Sequence, residues 1–133
     1  MSDTRYRRSA GSVFSLKYHL VWCPKYRRKV LVGPVADDLR TLLHQKATEL
    51  EVTIEALEIM PDHVHLFIST DPTEAPQHLA NQFKGFTSRM LRLKYPHLCS
   101  SLPTLWSRSY YVGSIGHVSE EAVKRYIENQ KGK

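Results

Sequence analysis

His63 and His65 lie one residue apart in the run Met60-Pro61-Asp62-His63-Val64-His65-Leu66-Phe67-Ile68, two imidazoles set into apolar sequence just after a Pro-Asp turn signal. Successive side chains of a strand point to opposite faces, so a strand here presents His63 and His65 together and Val64, Leu66 and Ile68 on the other side. Burying the apolar side fixes the strand and holds the imidazoles in place before any ligand arrives. Two nitrogen donors under-fill a metal's coordination shell, so a metal site needs a third ligand from elsewhere. Towards the C-terminus, Tyr126 and Gln130 are four residues apart, which on a helix puts a phenol and an amide oxygen on one face. Gln130 could complete the ligand set and Tyr126 could serve as a nucleophile; the pair could also be a packed ring and a solvated amide.

The elements that must position these groups follow from periodicity. Residues 13–23 alternate, with Phe14, Leu16, Tyr18, Leu20 and Trp22 on one face, and Pro24 ends this first strand. A basic connection over 25–29 leads to Gly33-Pro34 and a helix over about 35–51 whose stripe is Leu39, Leu42, Leu43, Lys46 and Leu50. Residues 52–59 read as a second strand, turning at Pro61-Asp62 into the His-x-His strand, which ends near Ser69. A longer helix is expected over 73–94 with Pro76 in its first turn, Leu79, Phe83, Phe86, Met90 and Leu93 buried, and Lys84, Arg89 and Arg92 on its exposed flank. A fourth strand is expected over 105–112, followed by a link loosened by Gly113 and Gly116 and a last helix over 118–131 capped by Ser119. The order is βαββαβ plus a C-terminal helix. That is an α+β fold of the ferredoxin-like or RRM-like kind: a four-stranded antiparallel sheet with two helices on one face. The third strand is central there, and its histidines look towards the side that the last helix can cover.

A chain of 133 residues, 41% hydrophobic and 24% charged, suits one domain over 1–133 with a loose basic arm at 1–11. No apolar run is long enough to span a bilayer, and no apolar signal region follows the basic start, so a soluble cytoplasmic protein is expected. Cys23 and Cys99 make neither a disulfide framework nor a zinc finger. The net charge of +6 is gathered in clusters, among them Lys25, Arg27, Arg28 and Lys29, and Lys84, Arg89, Arg92 and Lys94. Such clusters suit a polyanion, because each neutralised phosphate releases condensed counterions. Tyr6, Tyr18, Trp22 and Tyr26 lie among or beside the first clusters and offer stacking faces for unpaired bases. The DNA-contact candidates are Lys25, Tyr26, Arg27, Arg28, Lys84, Arg89 and Arg92.

Three separated motifs in this order carry a family resemblance. They are Tyr18-His19-Leu20-Val21-Trp22-Cys23-Pro24-Lys25-Tyr26-Arg27, the His63-Val64-His65 run, and Tyr126-Ile127-Glu128-Asn129-Gln130. Together, over residues 12–130, the chain resembles the single-tyrosine HUH transposases of bacterial insertion sequences that move as single-stranded DNA, the TnpA-like proteins and their REP-associated relatives. The resemblance implies a divalent metal, Mg2+ or Mn2+, on His63, His65 and Gln130, and a catalytic Tyr126 that cuts and rejoins single strands through a 5′-phosphotyrosine link. It implies no nucleotide cofactor, a homodimer in which the tyrosine helix can complete the partner's site, and recognition of hairpins at the element's ends. A domesticated relative that processes repeats for its host is a near alternative. A non-catalytic single-stranded nucleic-acid-binding module is a more distant one, expecting base-stacking aromatics where this chain has His63 and His65. A histidine-triad nucleotide hydrolase fits less well, because the next same-face position after His65 is Phe67.

Overall fold

The computed structural model describes residues 7–9, 12–14, 16–114 and 120–132, with side chains from Leu16 onwards. The elements are β1 (Arg7–Ser9), β2 (Ser12–Phe14), β3 (Leu16–Trp22), a 3-10 turn (Lys25–Arg27), α1 (Pro34–Leu50), β4 (Thr53–Met60), β5 (His63–Thr70), α2 (Pro76–Lys94), α3 (His97–Ser100), β6 (Tyr111–Ser114) and α4 (Glu120–Asn129). Ser119, Gly116 and Tyr6, which carried expectations above, lie outside the described residues.

Antiparallel pairing gives a four-stranded sheet of order β4-β5-β3-β6, the expected α+β architecture, with β5 in an interior position. Alternation places Leu20 and Trp22 of β3 and Val64, Leu66 and Ile68 of β5 on one face, all fully buried. Val35, Leu39 and Leu43 of α1 and Leu79, Phe83 and Leu91 of α2 pack onto that face in one continuous core. Burying a Leu- or Phe-sized side chain contributes about 1.5–3 kcal/mol, so this layer is what fixes β5 and hence its histidines. α1 starts on Pro34 at its first position, where the missing N–H costs no helical bond. It ends on Glu51, whose backbone is left-handed (φ 59°) and whose N–H reaches the Ala47 and Thr48 carbonyls. α4 lies over the opposite face of the sheet, where Val123 is buried and Glu120 shares a cavity with His65 and Phe67.

Several boundaries differ from the expectations. Part of the loose arm is ordered backbone: Arg7 pairs with Phe14, Arg8 with Val13 and Ser9 with Ser12, which satisfies ladder groups that an extended arm leaves to water. The first strand of the sheet accordingly begins at Leu16 rather than at residue 13. α2 begins at Pro76, not at residue 73, because Thr73 is held in an Asx turn by Asp71. Its buried side is Leu79, Ala80, Phe83, Lys84, Thr87 and Leu91, whereas Leu93, expected inside, is 73% exposed. The chain after α2 rolls back over that side: Leu98, Leu102, Leu105 and Trp106 are buried there. The fourth strand is not continuous over 105–112. Trp106 bridges to Pro24, with Lys25 N–H on Leu105 O (2.8 Å) and Ser107 N–H on Cys23 O (2.9 Å), and regular pairing with β3 resumes only at Tyr111. Between them the Lys84 ammonium draws in the carbonyls of Ser107, Arg108 and Ser109 at 2.8, 3.1 and 3.1 Å, which takes those groups out of a ladder.

Candidate active site

The β5 alternation does what the spacing implied: His63, His65 and Phe67 share the sheet face that α4 covers, with the His63 and His65 ring centres 4.8 Å apart. His63 Nδ1 donates to Asp62 Oδ1 at 2.7 Å, since an ionised carboxylate only accepts, and in the neutral ring this tautomer leaves the lone pair on Nε2. His65 Nδ1 lies 2.9 Å from Nε2 of a third imidazole, His19 of β3. His19 stands opposite Phe67 in register and stacks on it, ring centres 4.0 Å apart and planes 8° from parallel. Its Nδ1 is buried without a hydrogen-bond partner among the described residues. When His65 Nδ1–H donates to His19 Nε2, the His65 Nε2 lone pair is also free. Two imidazoles then present Nε2 from one strand face, each braced from behind, which is the arrangement that fixes metal-binding histidines. Burial, and secondarily the neighbouring imidazole, lowers His19 to about 4, and burial with the nearby His63 lowers His65, so both rings are neutral near pH 7 as ligation requires. Among the described residues no group of three or more His, Cys, Asp or Glu is placed to hold a metal.

The phenol and amide are held together at a different point. α4 carries Tyr126 to the 107–109 segment, where its hydroxyl donates to Ser109 O at 2.8 Å. Gln130, just beyond the helix, is buried, and its Oε1 accepts from Ser107 Oγ at 2.5 Å. Burial pushes the Tyr126 phenol well above its ordinary pKa, against the Ser109 hydrogen bond, so the parked hydroxyl keeps its proton. Thus the structure pairs His63 with His65, and Tyr126 with Gln130 through Ser107 and Ser109. Two links join the halves. Aromatic rings run from His65 through His19 and Tyr111 to Tyr126, with centres 5.1, 6.2 and 6.5 Å apart. The second link is Arg27, whose Nε reaches Asp62 Oδ2 at 3.0 Å and whose Nη1 reaches Ile127 O at 3.4 Å and Glu128 at 3.3 Å. A cavity of about 370 Å³ lined by His19, Glu58, His65, Phe67, Glu120 and Val123 opens beside the histidines.

The seven DNA-contact candidates separate on inspection. Lys25 and Arg28 flank the exposed Tyr26 ring at 5.5 and 5.8 Å, a cationic and aromatic patch on the surface. Arg89 is exposed on α2. Three others are held by contacts within the chain, and for Lys84 the expected exposed placement is corrected. Arg27 is engaged in the ion pairs above, its side chain 15% exposed. Lys84 is not on the exposed flank but buried, its three ammonium hydrogens matched by three carbonyls. Burial lowers its pKa to about 8. Arg92 caps the Leu98 and Leu102 carbonyls at 3.2 and 3.3 Å and closes the segment after α2. His19, Ser107 and Ser109 were missed as site residues. For His19 a signal existed, since odd-numbered positions of β3 face away from the apolar Leu20 and Trp22; for the serines there was none.

A tyrosine-bearing helix thus lies over the sheet face that carries the paired histidines, and the family to which this arrangement belongs is one of DNA-processing enzymes. The profile of the family described as Transposase IS200 like matches residues 12–130, and the chain belongs to that family. It is 37% identical over 129 residues to the ISDra2 transposase TnpA of Deinococcus radiodurans, spanning 96% of this chain and 92% of the relative. It is 28% identical to the transposase for insertion sequence element IS200 of Salmonella typhimurium, over 91% of this chain and 80% of that one. A crystal structure of a candidate transposase from Deinococcus radiodurans R1 superposes with a TM-score of 0.84 at 37% identity, covering 96% of this chain and 99% of the other. The REP-associated tyrosine transposase bound to a REP hairpin shares the fold, with a TM-score of 0.57 at 16% identity over 96% of this chain and 69% of that one. The protein is therefore a transposase, an enzyme of DNA cleavage and strand transfer. No helix among the described residues is long and apolar enough to cross a membrane.

Proposed function

We propose that this transposase cuts and rejoins single-stranded DNA through a 5′-phosphotyrosine link to Tyr126, with a divalent ion held by His63, His65 and Gln130. The observation that carries the reading is the pair of Nε2 lone pairs offered from one face of β5, braced by Asp62 and His19. When bound, the ion supplies charge neutralisation and orientation of the scissile phosphate. Two imidazoles with an amide oxygen suit Mn2+ better than Mg2+, which prefers all-oxygen shells, and either ion can serve. For Gln130 to take part, its Oε1, which accepts from Ser107, must turn a lone pair to the ion, and Tyr126 must exchange the Ser109 carbonyl for the phosphate.

Tyr126 Oη attacks phosphorus in line, the phosphorus–O3′ bond breaks, the phenol proton is given up and the departing 3′ oxygen takes one. A phenol, with an ordinary pKa near 10, leaves more readily than an alkoxide, so the 3′-hydroxyl of another end can reverse the step without a nucleotide cofactor. Half-buried Lys25 and exposed Tyr26, Arg28 and Arg89 are the residues we assign to meet the strand, by phosphate contact and base stacking. We extend the reading to a homodimer that recognises hairpins at the ends of its element. The test is to mix the protein with single-stranded DNA spanning an end of its own locus, with Mn2+ or Mg2+, and separate the products under denaturing conditions. The expected result is a covalent adduct that needs the metal and vanishes in Tyr126→Phe. Tight binding of single strands without any adduct overturns the catalytic reading.

A further inference from the structure

Arg27 was read from sequence as one more cation for DNA, yet its surroundings are those of a brace. It sits in a 3-10 turn where both Tyr26 (φ 61°) and Arg27 (φ 53°) are left-handed, a conformation that residues with side chains adopt only where the surroundings impose it. The turn is closed by Arg27 N–H on Pro24 O at 2.8 Å. From there the guanidinium reaches Asp62 Oδ2 at 3.0 Å and, on its other side, Ile127 O and Glu128 near the end of α4. A cation at the carboxyl end of a helix complements the helix dipole. The other oxygen of the same Asp62 carboxylate holds His63 Nδ1 at 2.7 Å. One carboxylate therefore stands between the helix that carries Tyr126 and the ring that presents His63 Nε2.

We infer that Arg27 is a positioning residue that ties the docking of the tyrosine helix to the orientation of His63, through Asp62. The inference rests on the proposed metal role of His63 for one of its two arms. By linkage, whatever steadies His63 favours the docked helix and the reverse. A lysine cannot reproduce the fork, because a single ammonium lacks the separate donors that serve Asp62 and the helix end together.

The test uses the full chain without DNA: Mn2+ titration by calorimetry, and amide hydrogen exchange with and without Mn2+, on the parent and on Arg27→Ala, Arg27→Lys and Asp62→Asn. In Arg27→Ala the amides of 123–129 are expected to exchange about 10-fold faster, those of β3 and β5 unchanged, and Mn2+ to bind 10–100-fold more weakly, roughly the cost of losing a brace behind a metal-binding histidine. Arg27→Lys should not rescue either readout. Because Arg27→Ala could loosen the turn itself, Asp62→Asn, which leaves residues 25–27 intact, must shift both readouts in the same direction. The double variant should be no worse than the more affected single one. If the parent binds no Mn2+ while α4 still loosens in both variants, the metal reading falls and the helix tie stands. If both variants keep parental exchange and Mn2+ affinity, and Arg27→Ala only weakens single-strand binding in chelator, Arg27 is a phosphate contact and the inference is overturned.

Discussion

His19 and His65 share one hydrogen bond in a face closed by α4, and burial holds both below their ordinary pKa, His19 at about 4. The unfolded chain takes up these protons near pH 6.5, before the folded one does, so between the two values the unfolded state binds more protons and stability rises with pH. The contribution is complete above pH 6.5 and is lost as pH falls towards 4; from His19 alone it is about 3 kcal/mol at most. The urea midpoint of the metal-free protein should therefore drop between pH 6.5 and 4, and His19→Phe, which keeps a ring on Phe67, should flatten that slope. An unchanged slope would mean that His19 is already charged in the fold. The strand parity that exposes His63 and His65 was legible in the sequence, because alternation is a local property. The buried state of His19 was not, because it depends on the Phe67 ring and on a helix a hundred residues away. Lys84 was misread for the same reason: nothing adjacent in sequence announces the carbonyls of Ser107, Arg108 and Ser109.

In α2 two stripes compete. Residues 79, 83, 86, 90 and 93 form the more apolar one by sequence, yet Leu93 is exposed, and the helix also buries Ala80, Lys84, Thr87 and Leu91. The extra face is created by the returning chain, where Trp106 Nε1 donates to Thr87 Oγ1 at 3.1 Å and the Trp106 ring meets Trp22 edge-on. The existence of the helix and its end at Lys94 followed from periodicity; the rotation of its buried side is a tertiary effect. Two substitutions two residues apart separate the readings. Leu91→Ala should cost about 2–5 kcal/mol as a fully buried truncation, whereas Leu93→Lys should stay within about 0.5 kcal/mol, both from urea unfolding. Thr87→Val, which leaves the buried Trp106 N–H unpaired, should cost about 1–3 kcal/mol with a shift in tryptophan emission. A costly Leu93→Lys would restore the stripe read from the sequence. The split of the fourth strand has the same origin, since Lys84 on this rotated face captures the carbonyls between Trp106 and Tyr111.

The net charge of +6 announced a polyanion, but composition could not say which cations remain free to meet it. In the folded chain Arg27, Lys84 and Arg92 are hydrogen-bonded to acidic groups or carbonyls, while Lys25 and Arg28 flank an exposed Tyr26 and Arg89 stands open on α2. Each single-strand phosphate contact contributes about −0.7 to the slope of log K against log salt. Replacing Lys25 and Arg28 together by Ala should therefore flatten the slope by about 1.4 if both touch phosphate, as measured by anisotropy of a labelled single strand in chelator. Arg92→Ala should leave the slope alone and instead lower the unfolding temperature, because the Leu98 and Leu102 carbonyls lose their donor. Tyr26→Ala should weaken binding by about 1–3 kcal/mol at every salt concentration, as the loss of one stacking face does, without changing the slope. A slope that responds to Arg89 or Arg92 but not to the double substitution would place the nucleic acid on the α2–α3 side of the molecule, away from the turn at Tyr26. The two outcomes predict opposite strand paths: past the turn that contacts α4, on the side of Tyr126, or across the helix layer behind the sheet, on the face away from the paired histidines.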